Sequence, residues 1–422
     1  MARRIGPILG IYFCVAVAWV VLGGSVNTRT RTTDGHLKEA VSSLWGSAQT
    51  QVAPDLSFTW QETEQETEVV KDAATGLQQV VTHEKEVWRS KPVLLDRSKV
   101  DVDLHLDQRK KGLLWYSTYG VAFRGAYAYT HVDDRDGWLI VTYRFPTTQA
   151  IYSDFRFAVN GVVEPQTVPV GENGARVVRQ KVPVRKGTAV PFEIAYRSRG
   201  LDTWGYSFGD DVSRVKDFDL TVTTDFDEID FPEKTISPDQ KVDRGRGWTL
   251  RWRSENLISG FNVGVEMPHR LNPGPLAAEM SFFAPVSLAF FFIWIFVITL
   301  MKRIDLHSMN YLFLGAAFFA FHLLFAYTAD HIDVIPAFAL ASAVSMFLVV
   351  SYLRLVVGLR FAALEAAGSQ LVYLVLFSWA HFFEGFTGLI VTVGSILTLF
   401  LLMQLTGRIR WDEKFAASPA RA

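Results

Sequence analysis

Six stretches of about 20 mostly apolar residues are spaced along the chain, one at the N-terminus and five after Glu279. A helix needs about 20 such residues to cross the hydrocarbon layer of a membrane. The predicted spans are Ile5–Gly24, Ser281–Met301, Met309–Thr328, Val334–Leu353, Ser369–Phe383 and Thr387–Leu405.

Two of these assignments have alternatives. The first run could be a cleaved signal peptide, but Val21-Leu22-Gly23-Gly24 is a poor cleavage site, which favours an uncleaved anchor. The break at Glu384-Gly385 is short, so the last two runs could instead form a re-entrant hairpin.

Charged residues beside these runs predict an orientation. Acidic residues Asp330, Asp333 and Glu384 fall on one side of a six-span arrangement. The basic residues fall on the other side, which the positive-inside rule makes cytoplasmic. They are Arg3, Arg4, Lys302, Arg303, Arg354, Arg360, Arg408 and Arg410. Both termini are therefore predicted to be cytoplasmic and the long segment between the first two spans to be outside.

That long segment changes from a helical to an alternating pattern. It opens with a helix capped by Asp34, whose apolar face includes Leu37 and Val41, read as a stalk that continues from the first span. Farther on, apolar and polar positions alternate over 100–106. Turns are predicted at Ala74-Thr75-Gly76, Asn160-Gly161 and Glu172-Asn173-Gly174, and Asn-Gly is typical of a tight hairpin. Further predicted strands include 138–143, 155–159, 218–222 and 248–252.

The resulting fold class is a membrane α-helical bundle of about six spans plus an extracytoplasmic, mainly antiparallel β domain, either a sandwich or a sheet folded on itself. The predicted organisation is an N-terminal anchor over 1–24 and a helical stalk over 25–50. The β-rich domain follows over 51–280, the five-helix bundle over 281–406, and a cytoplasmic tail over 407–422.

Composition excludes several classes of protein. The chain has 42 Lys and Arg against 43 Asp and Glu, so no basic surface predicts nucleic-acid binding. Cys14 is the single cysteine, which excludes an intrachain disulfide and a Cys-based metal site.

Several stretches, in order along the chain, resemble the CreD family of bacterial inner-membrane proteins. The stretches that carry the resemblance are Ser42–Thr50, Arg109–Tyr119, Phe226–Pro232, Phe283–Leu288, His307–Gly315, Asp330–Ile332 and Arg408–Trp411. The resemblance implies a role in envelope integrity and in tolerance of envelope-directed toxins. It implies no established catalytic activity and no agreed functional residues.

No enzyme motif is present. The chain lacks a nucleophile elbow, a paired-histidine zinc motif, a phosphate-binding loop and a complete dinucleotide fingerprint. The candidate site with the most titratable residues is the outer rim of the bundle. Asp330, His331 and Asp333 precede the fourth predicted span, and His381 and Glu384 lie between the last two. These groups would suit a divalent metal such as zinc or a proton-transfer pair, although solvated helix ends commonly carry such residues with no further role.

His322 is a separate candidate because it lies near the middle of the third predicted span. Ionisable groups at that depth are costly and are suspected of function by default. The alternative is a packing role, in which a neutral His322 hydrogen-bonds Ser345, Ser351 or Tyr373 on a neighbouring helix.

The outer domain offers one further candidate. Asp202-Thr203-Trp204-Gly205-Tyr206 sets aromatic rings beside an acid, as in a sugar-stacking platform, although such rings also fill β cores. The sequence therefore favours a non-enzymatic protein of the bacterial inner membrane that supports envelope integrity, with an outer domain that binds or braces an envelope component.

The alternatives are a membrane enzyme acting on lipid or glycan at the outer rim, and a sensor or transporter. No cofactor is predicted, and whether a metal binds is left open. The expected partners are the lipid bilayer and an envelope glycan, lipid or protein, with no nucleic acid.

Overall fold

The computed structural model describes residues 2–71, 78–112, 114–163, 170–172, 175–209, 213–383 and 385–407. They divide into two compact units. One contains the described residues up to His36, together with Gly112, Leu114 and the described residues from Leu271 onward. The other contains Leu37–Lys111 and Trp115–Arg270.

Within the described residues, six helices are long and apolar enough to cross a membrane, as predicted, with mean hydropathy between 1.4 and 2.4 over their most apolar windows. We number them α1 to α6. They are α1 (Ala2–Trp45), α2 (Pro273–Lys302), α3 (Ser308–Thr328), α4 (Val334–Val357), α5 (Phe361–Phe382) and α6 (Thr387–Thr406).

Several helix boundaries differ from the predictions: α2 begins at Pro273 rather than Ser281, and α4 ends at Val357 rather than Leu353. Asp34 caps no new helix, because α1 runs through it as one helix of 44 residues. The fifth span begins at Phe361 rather than Ser369, because the alanine-rich stretch before Ser369 is helical too. At 22 and 20 residues, α5 and α6 are each long enough to cross the membrane separately, which disfavours the re-entrant hairpin.

The second unit is built from β-strands, and each predicted strand is confirmed. The strands up to residue 130 are β1 (Gln49–Val52), β2 (Asp55–Lys71), β3 (Gln78–Val93), β4 (Arg97–Leu106), β5 (Arg109–Lys111), β6 (Leu114–Tyr116) and β7 (Thr118–Thr130). Those up to 201 are β8 (Gly137–Arg144), β9 (Ser153–Val159), β10 (Val162–Val163), β11 (Val170–Glu172), β12 (Ala175–Val184) and β13 (Ala189–Leu201). The last are β14 (Thr203–Ser207), β15 (Ser213–Thr224), β16 (Gln240–Asp243), β17 (Trp248–Ser259) and β18 (Val263–Glu266).

These strands form mainly antiparallel sheets. The largest has eight strands in the order β10-β9-β13-β7-β4-β15-β17-β16, and a second has the order β11-β12-β8-β2-β3. Strands β1, β14 and β18 form a third sheet, and β5 pairs with β6. The β4–β15 and β1–β14 pairs are parallel.

Alternation along the strands explains the core of this unit. In β4, Val100, Val102 and Leu104 are buried while Asp101 and Asp103 are exposed, as a period of two requires. The buried side chains of the eight-stranded sheet share one hydrophobic core with those of the five-stranded sheet, such as Leu139 and Val141 of β8.

The predicted Asn160-Gly161 turn joins β9 to β10. Asn160 has φ 53° and Gly161 has φ 78°, the positive angles that tight hairpins need. The turns predicted at Ala74–Gly76 and Asn173-Gly174 lie outside the described residues.

Candidate functional site

The rim residues that the structure describes have different surroundings. Asp330 is buried, and its carboxylate lies 2.8 Å from the guanidinium of Arg29 on α1. His331 and Asp333 are exposed, and Asp333 immediately precedes α4. Glu384 lies outside the described residues.

His381, the remaining rim candidate, is buried at 3% exposure, one residue before the end of α5. A tight turn over Ala380–Phe382 carries it inward, and its ring lies 5.4 Å from that of Phe283 on α2. Its Nδ1 atom is 3.3 Å from the carbonyl oxygen of Ser378. Within the described part of the chain, its Nε2 atom has no hydrogen-bond partner.

His322 is also buried, at 2% exposure, but the predicted hydrogen bonds to Ser345, Ser351 or Tyr373 are not formed. Its Nδ1 atom instead lies 3.1 Å from the carbonyl oxygen of Phe318, one turn earlier in α3. Its ring meets that of Trp19 edge-on at 5.5 Å. No described residue partners its Nε2 atom.

Metal ligands are not grouped. Among the described residues, no cluster of three or more His, Cys, Asp or Glu side chains could hold a metal ion. The zinc interpretation of the rim therefore has no ligand set in this part of the chain, because a protein zinc site takes at least three protein ligands.

Of the two interpretations of Asp202–Tyr206, the structure supports core packing rather than a sugar-stacking platform. Trp204 and Tyr206 are fully buried in the hydrophobic core, so neither ring face can meet a ligand. Their strand, β14, is paired on both sides, by β1 and β18. Asp202 forms an ion pair with Lys38, at 2.7 Å.

A polar groove lies instead on the solvent face of the eight-stranded sheet. It consists of two adjoining cavities of about 720 and 520 Å³ that share Asp103, Ala122 and Arg197. Small residues of β7 and β13, Ala122 and Ala195, lie among its lining. The charged lining residues are Asp101, Asp103, His105, Arg124, Asp154, Arg156, Glu193, Arg197 and Arg199.

This arrangement follows from the period of the strands. Because alternate residues face the core, β4 turns Asp101, Asp103 and His105 toward solvent, while β13 turns Glu193 and Arg197. Neighbouring strands in register bring carboxylates and guanidinium groups side by side. The sequence showed the alternation of β4, but it gave no sign that β13 pairs with β7 to complete the groove.

One end of the groove is apolar. Leu44 and Ile151 line it and are 63% and 82% exposed, and Trp45 belongs to the same lining. The guanidinium carbons of Arg109 and Arg199 lie 3.8 and 5.1 Å from the centre of the Trp45 ring. These cation–π contacts fix the orientation of the indole.

Charge pairs border the groove on β15 and β17. Arg251 donates two hydrogen bonds to Asp219, at 2.8 and 2.6 Å. The hydrogen bonds from Arg251 hold the pKa of the Asp219 carboxyl below its usual value. The same contact raises the pKa of Arg251, so this pair is ionised at neutral pH.

Comparison with known families bears on the bundle. The model of a protein family described as "Inner membrane protein CreD" matches residues 277–412. The resemblance to the CreD family is confirmed over these residues, while the stretches Ser42–Thr50, Arg109–Tyr119 and Phe226–Pro232 fall outside the match. The match spans α2 to α6 and includes His322, Asp330 and His381, whereas the groove lies outside it.

The other comparisons add little to the CreD match. A search of curated proteins found no match. A solved structure of a candidate nutrient binding protein from Legionella pneumophila subsp. pneumophila str. Philadelphia 1 is 10% identical, over 59% of this chain and 96% of that chain, with a TM-score of 0.30. That similarity is too low to carry fold or function from one protein to the other.

Proposed function

We propose that this chain is a multi-pass protein of the bacterial inner membrane whose β domain faces outward and binds an envelope glycan in the groove, without catalysis. In this role it would support envelope integrity and stress tolerance, as its CreD-type membrane segment implies. The observation that carries the proposal is the groove itself, a polar cleft whose lining also includes the exposed apolar residues Leu44 and Ile151.

The orientation rests on charge. Lys302 and Arg303 end α2, and Arg354 and Arg360 flank the connection from α4 to α5. Because positive charge is retained in the cytoplasm, these connections are assigned to the inside. Both chain termini then lie inside, and the β domain, which lies between α1 and α2 in the sequence, lies outside.

The choice of a glycan rests on the chemistry of the lining. Sugar hydroxyl groups both donate and accept hydrogen bonds, so they suit neighbouring carboxylates such as Asp103 and guanidinium groups such as Arg197. Exposed Leu44 and Ile151, beside the half-buried Trp45, offer apolar surface to a sugar ring. Each of the two cavities of the groove has a volume in the range of about 300–1,000 Å³ that is typical of ligand sites.

The non-enzymatic reading is preferred over a rim enzyme because the rim groups are otherwise engaged. Asp330 is paired with Arg29, and His381 is buried behind Phe283. A sensor or transporter role has no separate observation in its favour within the β domain.

The test is binding of isolated peptidoglycan strands to the full chain in lipid nanodiscs. Ala195→Trp fills the groove while every charged lining residue is kept, and Ala128→Trp makes the same change at an outward position of β7 that does not line the groove. We expect Ala195→Trp to weaken binding by about tenfold or more and Ala128→Trp to leave it within about twofold, since only the first change occludes the site.

The same variants should be expressed at matched membrane levels in a deletion strain under envelope stress. Protection that is lost with Ala195→Trp and retained with Ala128→Trp supports the proposal. Equal binding by wild type and both variants contradicts the groove as the site. Cleavage of the strands during incubation would favour the enzymatic alternative.

A further inference from the structure

The two long walls of the groove carry opposite charges. On β4, the outward residues Asp101 and Asp103 present exposed carboxylates, and on β13, Arg197 and Arg199 present exposed guanidinium groups. We call these pairs the acidic wall and the basic wall. Strand β7 lies between β4 and β13 in the eight-stranded sheet. The acidic wall therefore faces the basic wall across a single strand.

That middle strand has almost no side chain between the walls. The register aligns two rows across the three strands, namely Asp103, Ala122 and Arg197 in one row and His105, Gly120 and Arg199 in the next. Apart from its chain neighbours, a Cβ atom added at Gly120 would meet one described atom within 4 Å, the Cβ atom of His105 at 4.0 Å. Gly120 and Ala122 thus form an open floor, which ends where Arg124 follows on the same face of β7.

The charges of the two walls are not paired with each other. Neighbouring strands lie about 4.8 Å apart, so the Cα atoms of Asp103 and Arg197 are separated by about 9.6 Å. Among the described residues, Asp103 has no ion-pair partner. Asp101, by contrast, lies opposite Arg124 on the neighbouring strand. Asp103 is therefore the carboxylate of the acidic wall that is available to a cation.

The imidazole on the acidic wall does not neutralise Asp103. His105 forms an ion pair through its Nδ1 atom with Asp225. A protonated His105 is balanced by that carboxylate, and a neutral His105 contributes no positive charge. The acidic wall is therefore net negative in either state of the ring.

The two arginines of the basic wall remain available to an anion. Arg197 lies 3.5 Å from Asp154, but the two side chains are 71% and 69% exposed, and an ion pair so exposed contributes little. Arg199 lies 5.1 Å from the centre of the Trp45 ring, a cation–π contact that leaves its positive charge without a counter-ion. A ligand carboxylate can therefore engage both guanidinium groups.

This separation of charge specifies the ligand. An ammonium group would donate hydrogen bonds to Asp103, and a carboxylate would accept them from Arg197 and Arg199. Hydrogen bonds between ionised groups are about twice as strong as those between neutral groups, so a neutral sugar would use the walls less well. A simple ion would engage one wall only. The two ligand charges must lie within about 10 Å of each other, a span of at most about three peptide residues.

We propose that the groove binds a zwitterionic peptide substituent of the envelope glycan, with its ammonium group at Asp103 and its carboxylate at the basic wall. This inference rests on the proposed function, because it names the part of the glycan that the groove holds. Exposed Leu44 and Ile151 line the same cavity and provide apolar contact for the aliphatic part of such a peptide.

The experiment measures binding of three probes to the full chain in lipid nanodiscs. The first probe is isolated peptidoglycan strands that carry their peptides, the second is the same strands after an amidase has removed the peptides, and the third is the released peptide. The first and third probes are also prepared with their amines acetylated.

The variants change exposed side chains without adding bulk. Asp103→Asn and Arg197→Gln each neutralise one wall. Lys99→Gln is the control, because it removes a charge from the outer face of β4 at a position that does not line the groove.

We expect the wild type to bind the peptide-bearing strands at least about tenfold more tightly than the stripped strands. Asp103→Asn should weaken binding of the peptide-bearing strands by about tenfold, and Arg197→Gln by about threefold, because Arg199 remains. Both variants should leave binding of the stripped strands within about twofold of the wild type. Lys99→Gln should change neither.

Acetylation identifies the partner of the ammonium group. It should weaken binding to the wild type by about tenfold and have almost no further effect on Asp103→Asn, because the ammonium group has already lost its carboxylate there. An equal effect of acetylation on both chains would overturn the inference.

The probes also separate this inference from the proposed function. Equal binding of peptide-bearing and stripped strands by the wild type would overturn the inference while supporting glycan binding. If the released peptide binds in a manner that depends on Asp103 and the stripped strands do not bind, the zwitterion site is supported and glycan recognition by sugar contacts fails. If no probe binds, both are overturned.

Discussion

The guanidinium of Arg29 lies 2.8 Å from the carboxylate of Asp330, so the N-terminal helix is joined by an ion pair to the turn that follows α3. The side chain of Asp330 is only 9% exposed, whereas that of Arg29 is 40% exposed. Arg29 also lies over the ring of Tyr327, at 5.2 Å. These contacts make Arg29 the partner on which a buried carboxylate depends.

Arg29→Ala should therefore destabilise the bundle by about 1–3 kcal/mol, because it leaves Asp330 buried without its cation. The partial exposure of Arg29 keeps the expected loss below that of a fully buried pair. Thermal unfolding in nanodiscs measures the effect. Arg31→Ala removes an exposed arginine of the same helix and should change stability by less than about 0.5 kcal/mol. Equal effects of the two changes would show that the ion pair contributes nothing.

The pairing of Asp330 illustrates what sequence can supply. Hydropathy and charge placed Asp330 beside the end of a span, because both are local properties of the chain. Its partner is about 300 residues away in the sequence and lies outside the predicted first span, so no local pattern could identify it. For the same reason, His381 was assigned to a loop, although a final helical turn carries it into the bundle.

A second feature that local patterns missed is Gln51, a polar residue buried in the β core. Its Oε1 atom accepts hydrogen bonds from the hydroxyl groups of Tyr143, at 2.6 Å, and Tyr196, at 3.0 Å. Burial raises the pKa of both tyrosines, so both hydroxyls stay protonated and need an acceptor. Glutamine is usually exposed, so no local pattern predicts that this one is buried.

Gln51→Leu should lower the free energy of unfolding by about 2–4 kcal/mol, because two buried hydroxyls lose their acceptor together. The loss is measured by unfolding the full chain with denaturant and following the β-sheet signal by circular dichroism. Gln240→Leu alters an exposed glutamine in β16 and serves as the control. A loss no greater than that of the control would mean that the tyrosines find other acceptors.

Gly46 links α1 to β1 in a conformation that other residues avoid. Its φ is 96°, and a Cβ atom added there would lie 2.2 Å from the carbonyl oxygen of Arg199. Gly46→Ala combines backbone strain with a clash against main chain, and we expect a loss of at least about 2 kcal/mol. Limited proteolysis of the full chain should detect it.

Gly187→Ala is the matched control. Gly187 has a similar φ of 80°, but no described heavy atom lies within 4 Å of its added Cβ. It should show only the strain of a left-handed residue, about 1–2 kcal/mol. If the two variants resist protease equally, the close approach at Gly46 is relieved by movement of β13.

The Asp219–Arg251 pair predicts a dependence on pH. Because the folded-state pKa of Asp219 is lowered by the Arg251 hydrogen bonds, its contribution is complete above the unfolded pKa of about 3.9 and is lost as pH falls through the folded value. Asp219→Asn should therefore reduce stability by about 0.5–1 kcal/mol at neutral pH, and by nearly nothing once the pH is below the folded-state pKa of Asp219. Hydrogen exchange of the β15 and β17 amides measures the stability difference at neutral and at acidic pH. A difference that persists in acid would assign the effect to packing rather than charge.

Ser345 of α4 is hydrogen-bonded to two other helices of the bundle, α3 and α5. Its hydroxyl accepts from Gln370 and donates to Ala317, so Ser345→Ala removes a link between three helices. Interhelical hydrogen bonds in membranes contribute about 0.6 kcal/mol on average and at most about 1.7 kcal/mol, which bounds the expected loss. Ser351→Ala is the control, because Ser351 lies in the same helix and donates to Leu348 of its own helix.

A double-mutant cycle with Gln370→Leu separates the hydrogen bond from packing. If the Ser345–Gln370 contact is formed in the membrane, the stability losses of the two single variants should sum to more than the loss of the double variant, by about 0.5 kcal/mol or more. Additive losses would mean that each side chain packs independently. In that case the hydrogen bond to Ser345 would not explain why Gln370, whose Oε1 atom has no partner among the described residues, lies beside the π-helical turn Leu371–Leu376 of α5.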